Sequence, residues 1–227
     1  PGLKTLDDAL LIRRRILCAF EQAETEPDPV RKSELMTTVV VGGGPTGVEL
    51  AGAFAELSRT VLKRDFDHID PTTARIVLID SGDRVLKTYH PDLSASAARQ
   101  LTQLGVEVIN GVRVQDIRAG EVVLPAGVIR AGTIVWAAGV GASPLARTLG
   151  LETDRGGRLP VGLDLSLAGR PEVFAIGDVA AVTDRNGVEV PGVAQGALQM
   201  GRHVARLIAT EVQGKSPPAG GREPFAF

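Results

Sequence analysis

Gly42, Gly44 and Gly47 stand at G-x-G-x-x-G spacing, with Pro45 and Thr46 between the second and third. The pattern by itself is a weak signal. Here an apolar, β-branched run from Thr37 to Val41 precedes it, and a helical pattern from about Thr46 to Leu62 follows. In that setting each glycine has a physical reason. Gly42 permits a tight turn, Gly44 lets backbone approach a pyrophosphate, and Gly47 lets the helix lie close to the strand. A pyrophosphate placed there meets unpaired N–H groups and the positive end of the helix dipole. The competing explanation is a strand-to-helix turn with no ligand.

Asp80 closes a second apolar run, Ile76 to Ile79. A carboxylate at that strand end can accept hydrogen bonds from ribose hydroxyls and would repel a 2′-phosphate, which favours NADH over NADPH. Asp80 lies 33 residues beyond Gly47 (80 − 47), against a usual distance of about 20. The first helix and a loop through Asp70-Pro71 account for the excess. The alternative role for Asp80 is to form a turn ahead of Ser81-Gly82-Asp83.

The elements that must hold these residues follow from periodicity. Leu6, Ala9, Leu10, Leu17 and Phe20 predict a helix from Leu6 to about Ala23, with Thr5 and Asp8 as a capping box. Pro27-Asp28-Pro29 reads as a linker, and Arg64 to Thr73 as a loop. A helix is expected at Asp92 to Leu104, and strands at Val106 to Ile109 and Thr133 to Ala137. Between those strands, short apolar pieces from Gly111 to Ala131 suggest an antiparallel meander. Strands alternating with helices imply an α/β fold, a Rossmann-like parallel sheet with that meander added. Beyond Gly139 the pattern changes: a strand is expected at Val173 to Ile176, leading into Gly177-Asp178, and an amphipathic helix at about Val193 to Val212. The expected division is a nucleotide domain over 1–142 and a second, incomplete domain over 143–227.

Composition excludes several classes. With 25 Lys+Arg against 27 Asp+Glu the net charge is −2, and the basic residues are dispersed, so nucleic acid is not an expected partner. The one cysteine, Cys18, sits among Ile16, Leu17, Ala19 and Phe20 and reads as a buried structural thiol, which fits a reducing compartment. His68, His90 and His203 are dispersed and have no metal-ligand spacing, so no metal is expected.

The run VVVGGGPTGVELAGAFAEL, Val39 to Leu57, resembles the NADH-binding segment of the type II NADH:quinone oxidoreductases. So do IDPTTARIVLIDSGDRVL (Ile69 to Leu86), TIVWAAGV (Thr133 to Val140), VFAIGDVA (Val173 to Ala180) and PGVAQGALQMG (Pro191 to Gly201), in order and spacing, together with the opening LKTLDDALLIRRRIL. The resemblance implies a flavoprotein with two dinucleotide-binding domains that carries electrons from NADH through FAD to a membrane quinone. It implies that Gly139 lies at the crossing between the domains and that Gly177 and Asp178 bind the flavin, Asp178 at its ribityl chain. It places Glu49 where nicotinamide meets flavin, and Gln195 and Gln199 where the quinone meets flavin. From the residues alone, Glu49 could equally serve the dipole of its helix. Gln195 and Gln199, four apart and followed by Arg202 and Arg206, could be a solvated face.

The family's own flavin-binding glycine motif does not precede Leu3, and its membrane-attaching helices would follow Phe227. The expectation is therefore a fragment: a nicotinamide domain and part of an FAD domain, inactive alone. Peripheral attachment at the cytoplasmic face of the membrane and a possible homodimer are implied for the longer protein. Two alternatives remain, a ferredoxin-reductase-like or disulfide-reductase-like flavoprotein and a non-catalytic NADH-sensing module. Cys18, upstream of the nucleotide strand, is a poor redox cysteine.

Overall fold

Thr5 and Asp8 start the first helix as the sequence predicts. In the computed structural model, which describes residues 1–139, 142–143, 145–214 and 221–227, helix α1 spans Leu6–Thr25. The Asp8 N–H donates to Thr5 Oγ1 at 3.1 Å and the Thr5 N–H to Asp8 Oδ2 at 3.0 Å, a reciprocal cap. The inward stripe differs from the expected one. Ile12, Ile16, Ala19, Phe20 and Ala23 are buried, while Leu6 and Leu10 are 75% and 51% exposed. This helix has more apolar residues than one face can bury, and the β-branched pair Ile12 and Ile16 takes the core. Cys18 is exposed, contrary to expectation. It sits two residues past Ile16, about 200° around the helix from the buried stripe.

Pro27 and Asp28 separate the two helices as the expected linker, but from Pro29 the chain forms a second helix that was not expected, α2 (Pro29–Leu35). Asp28 caps it by accepting the Val30 N–H at 3.0 Å, and Pro29 takes the first helical position. Those are helix-start signals that double as turn signals.

The sheet follows. In chain order come β1 (Thr37–Val41), α3 (Pro45–Glu56), β2 (Arg75–Ile79), α4 (Pro91–Gln103), β3 (Val106–Ile109), β4 (Asp116–Arg118), β5 (Glu121–Leu124), β6 (Gly127–Arg130) and β7 (Thr133–Trp136). Beyond α3 the chain continues as a wider helical turn at Leu57–Val61 and tight turns at Leu62–Arg64 and Pro71–Thr73. The four parallel strands lie in the order β3-β2-β1-β7, with Val39 opposite both Val77 and Ile134. β4, β5 and β6 form the expected antiparallel meander.

Every residue of β1 is buried, as expected for a central strand covered on both faces. Its alternate side chains serve two cores. Val40, with Leu78 and Val135, packs against α1 and α3 through Ile16, Phe20, Ala51 and Phe54. Val39 and Val41, with Val77 and Ile79, pack against Val122 and Ala131 of the meander side.

The chain divides into two compact units, Pro1–Ala138 and Gly139–Phe227, so the contacts change a few residues ahead of the division expected at 142. The second unit contains α5 (Leu145–Thr148), β8 (Leu159–Pro160), β9 (Ser166–Leu167), β10 (Arg170–Phe174), β11 (Ala180–Ala181) and α6 (Ala194–Val212). β10 ends at Phe174, short of the expected Ile176, and pairs antiparallel with β9. Leu159, Leu165, Val182, Met200, Val204 and Phe225 form the core of this unit. Phe225 is held there at both ends of its peptide. Its N–H donates to Leu163 O at 2.7 Å and its carbonyl accepts from the Arg185 N–H at 3.1 Å. Among the described residues no helix is long and apolar enough to cross a membrane.

Candidate functional site

The glycine turn joins the carboxyl end of β1 to α3, and the three glycines are required for different reasons. Gly42 has φ +115° and donates its N–H to Ile79 O at 2.7 Å. A Cβ on it would lie 2.6 Å from the Ala138 nitrogen and 2.8 Å from the Ala137 carbonyl carbon. At Gly47 a Cβ would collide with the carbonyl oxygen of Gly42. At Gly44 it would meet nothing within 4 Å among the described residues. The turn is thus packed shut beneath Gly42 and Gly47 and open above Gly44. Gly44 caps α3 with no side-chain hydrogen bond, and Pro45 at the first position brings no N–H. The donors of the first turn, around Thr46 and Gly47, are left for an acceptor from outside, which is the chemistry of an anion cradle.

Asp80 reaches this turn from the end of β2. Its Oδ2 accepts the Gly43 N–H at 2.5 Å and its Oδ1 the Gly82 N–H at 2.6 Å. The bond to Gly82 is the turn-forming role weighed from sequence. Each carboxylate oxygen keeps a second lone-pair direction. Gly43, the variable position of the motif, was not singled out by the spacing. A Cβ there would sit 2.9 Å from Asp80 Cβ and 3.0 Å from Oδ2. Glu49 is exposed on α3 and makes no hydrogen bond or ion pair among the described residues.

In the second unit, Gly177 (φ +67°) and Asp178 open a short turn, Gly177–Val179, after extended Ile176. Asp178 is exposed and has no hydrogen-bond or ion-pair partner among the described residues. It lines a cavity of about 270 Å³ together with Arg158, Gly177, Pro191, Gly192 and Met200. The Gly177 N–H points to the Met200 sulfur at 3.2 Å, which ties the turn to α6. On α6 the buried residues are Gly196, Met200, His203 and Val204, while Gln195 and Gln199 are exposed. The two glutamines share that exposed side with Arg202 and Arg206. Gly139 has φ +81°, and a Cβ there would meet nothing within 4 Å among the described residues; Val140, the last residue of the segment read as the inter-domain crossing, lies outside the described residues.

Arg158 was missed from sequence because its neighbours show no motif. Its Nε donates to Asp154 Oδ2 at 2.7 Å and its Nη2 to Glu189 Oε1 at 2.9 Å. It therefore pins two loops at the cavity rim. Hydrogen bonds from the Arg158 backbone and side chain, against a burial effect smaller than either and with lesser help from the Arg158 charge and the Gly156 N–H, hold the Asp154 carboxyl below its ordinary value of 3.8. A carboxyl lowered on folding adds stability that is complete above its unfolded value and lost as pH falls through its folded one. Melting temperature should therefore drop on acidification below about pH 4, and Asp154→Asn should flatten that drop. A profile unchanged by Asp154→Asn would remove this loop from the account of acid sensitivity.

The structure brings Gly42, Gly44, Pro45, Thr46, Gly47 and Asp80 together in the first unit. In the second it places Gly177 and Asp178 on a cavity also lined by Val193 and Ala197, which flank Gln195 at the start of α6. Among the described residues no group of His, Cys, Asp and Glu could hold a metal ion.

Residues 4–201 match the family described as pyridine nucleotide-disulphide oxidoreductase. The type II NADH:quinone oxidoreductase Ndh of Mycobacterium tuberculosis is 48% identical, over all of this chain and 50% of that protein. The structure of NDH2 from Plasmodium falciparum in complex with NADH is 26% identical, with a TM-score of 0.68 over 80% of this chain and 39% of that one. A ferredoxin reductase from Rhodopseudomonas palustris, 21% identical, has a TM-score of 0.68 over 99% of this chain and 48% of that one, a likeness of fold. The chain spans about half the length of the curated relatives it matches.

Proposed function

The chain belongs to the pyridine nucleotide-disulphide oxidoreductase family, and from that premise we propose that it binds NADH at the glycine turn and serves a type II NADH:quinone oxidoreductase. The observation that carries this reading is the turn itself, closed to any side chain at Gly42 and Gly47 and open at Gly44. The first turn of α3, with Thr46 and Gly47, receives the pyrophosphate. Asp80 takes the adenine ribose through its remaining lone pairs and disfavours a 2′-phosphate.

The second unit is part of the FAD domain. Asp178, exposed on a cavity and without a donor among the described residues, suits a hydroxyl-rich ribityl chain, since a carboxylate accepts from several O–H groups. When bound, the flavin supplies the redox chemistry that links NADH oxidation to quinone reduction. Glu49 works where nicotinamide and flavin meet. Gln195 and Gln199 orient the quinone headgroup by hydrogen bonding, and Gly139 serves the crossing between domains. A membrane quinone as acceptor implies peripheral attachment of the longer protein to a membrane, and the proposal extends to its cytoplasmic face and to a homodimer.

The test is to express the complete reading frame and measure flavin content and NADH oxidation with quinone and with ferredoxin as acceptors. FAD should copurify and quinone should be reduced. Gln195→Ala with Gln199→Ala should raise the quinone KM about tenfold, the effect of losing a hydrogen bond or two, with the NADH KM unchanged. Turnover with ferredoxin and not quinone would overturn the acceptor. No turnover with any acceptor would leave an NADH-binding module.

A further inference from the structure

We propose that Asp80 is a positioning residue whose carboxylate clamps the pyrophosphate turn to the ribose loop through Gly43 and Gly82; this rests on the NADH site above. The two oxygens divide the work. Oδ2 accepts the Gly43 N–H at 2.5 Å, inside the glycine turn, and Oδ1 accepts the Gly82 N–H at 2.6 Å, inside the loop after β2. The far end of that loop returns to the same residue, where the Leu86 N–H donates to Gly43 O at 2.7 Å.

The loop is held on its other side as well. The Gly111 N–H donates to Gly82 O at 2.6 Å and the Val112 N–H to Asp80 O at 3.1 Å. Val85 is fully buried and Leu86 has φ +50°, a conformation that a Leu keeps only where its surroundings impose it. Of these ties, the carboxylate is the one made by a side chain.

One carboxylate also explains two glycines. A Cβ on Gly43 would lie 3.0 Å from Oδ2, and a Cβ on Gly82 would lie 2.8 Å from Oδ1. Side chains at either position would push the clamp open. Hydrogen bonds that a carboxylate accepts from backbone N–H groups are of the stronger, charge-assisted kind. Removing Asp80 therefore loosens the cradle for the pyrophosphate as well as deleting a ribose contact.

The two roles separate with an analogue of NADH that lacks both hydroxyls of the adenosine ribose. In the full chain, Asp80→Ala should weaken this analogue by about tenfold, and NADH by more because NADH also loses its ribose contact. If Asp80 acts only on the hydroxyls, Asp80→Ala weakens NADH and leaves the analogue unchanged, which overturns the clamp. Amide hydrogen exchange without ligand gives the second reading. Asp80→Ala and Asp80→Asn should both speed exchange at Gly43 and Gly82 by about tenfold or more, and unchanged exchange in either also overturns it. Failure of the unmodified chain to bind NADH would refute the NADH reading, while exchange would still decide the clamp.

Discussion

Gly47→Ala should lower NADH affinity by about a hundredfold or more. The added methyl would collide with the carbonyl oxygen of Gly42, a backbone atom with nowhere to go. Gly42 is pinned by its N–H to Ile79 O at 2.7 Å and by the backbone of Ala137 and Ala138 behind it. The helix must therefore lift from the sheet, carrying its first-turn N–H groups away from the pyrophosphate. Hydrogen bonds to a charged group contribute about 1.5–3 kcal/mol each, so losing two exceeds the roughly 2.7 kcal/mol of a hundredfold change. Overpacking should also cost about 1–3 kcal/mol of stability. Gly52→Ala, on the same helix, is the control. Its methyl would touch only Leu104 and Leu101 side-chain carbons at 3.8 and 4.0 Å, so NADH affinity should hold. Titration calorimetry of both variants separates loss of the cradle from a general effect on α3.

Phe225→Ala carries the largest expected effect on stability. Phe225 is 2% exposed and meets His203 edge to face, with ring centroids 5.6 Å apart. Truncating a buried Phe costs about 3–5 kcal/mol, enough to lower the melting temperature of the second unit by about 10 °C or more. Phe227, two residues on, is 47% exposed, and Phe227→Ala should change melting little. Scanning calorimetry on the two variants checks the contrast. Equal effects would mean that the chain end does not pack as described. The second unit holds the Asp178 cavity through Met200, so Phe225→Ala should also loosen the Gly177 turn, read as faster amide exchange there.

Much of the nucleotide unit was legible because its signals are local. Thr37 to Val41 is a run of β-branched residues that ends at three glycines, and the structure gives β1 those bounds. Thr5 and Asp8 announce a cap three residues apart, and the cap forms. Other features needed information from distant parts of the chain. Which of Leu6, Leu10, Ile12 and Ile16 turns inward depends on the sheet α1 meets, so the buried stripe and the exposure of Cys18 were misread. Asp28-Pro29 carries the same residues whether it starts a helix or makes a turn.

The site divides the same way. Gly42, Gly44 and Gly47 were found by spacing and Asp80 by its place at the end of an apolar run, because cradle chemistry constrains short stretches of sequence. Gly43 was not, because its reason is a carboxylate 37 residues away. Arg158 was missed because Asp154, four residues before it, forms no recognisable motif with it, and Glu189, its other partner, is 31 residues away and meets it only on folding. Glu49, Gln195 and Gln199 are exposed, and no hydrogen bond or ion pair among the described residues assigns them a role; resemblance alone pointed to them.

The most direct test of the account is a calorimetric titration of NADH onto the chain, with NADPH and the Gly47→Ala variant alongside. Saturable one-site binding of NADH, weaker binding of NADPH and loss of both in Gly47→Ala is the predicted result. No saturable binding of NADH, or equal binding by Gly47→Ala, would contradict it.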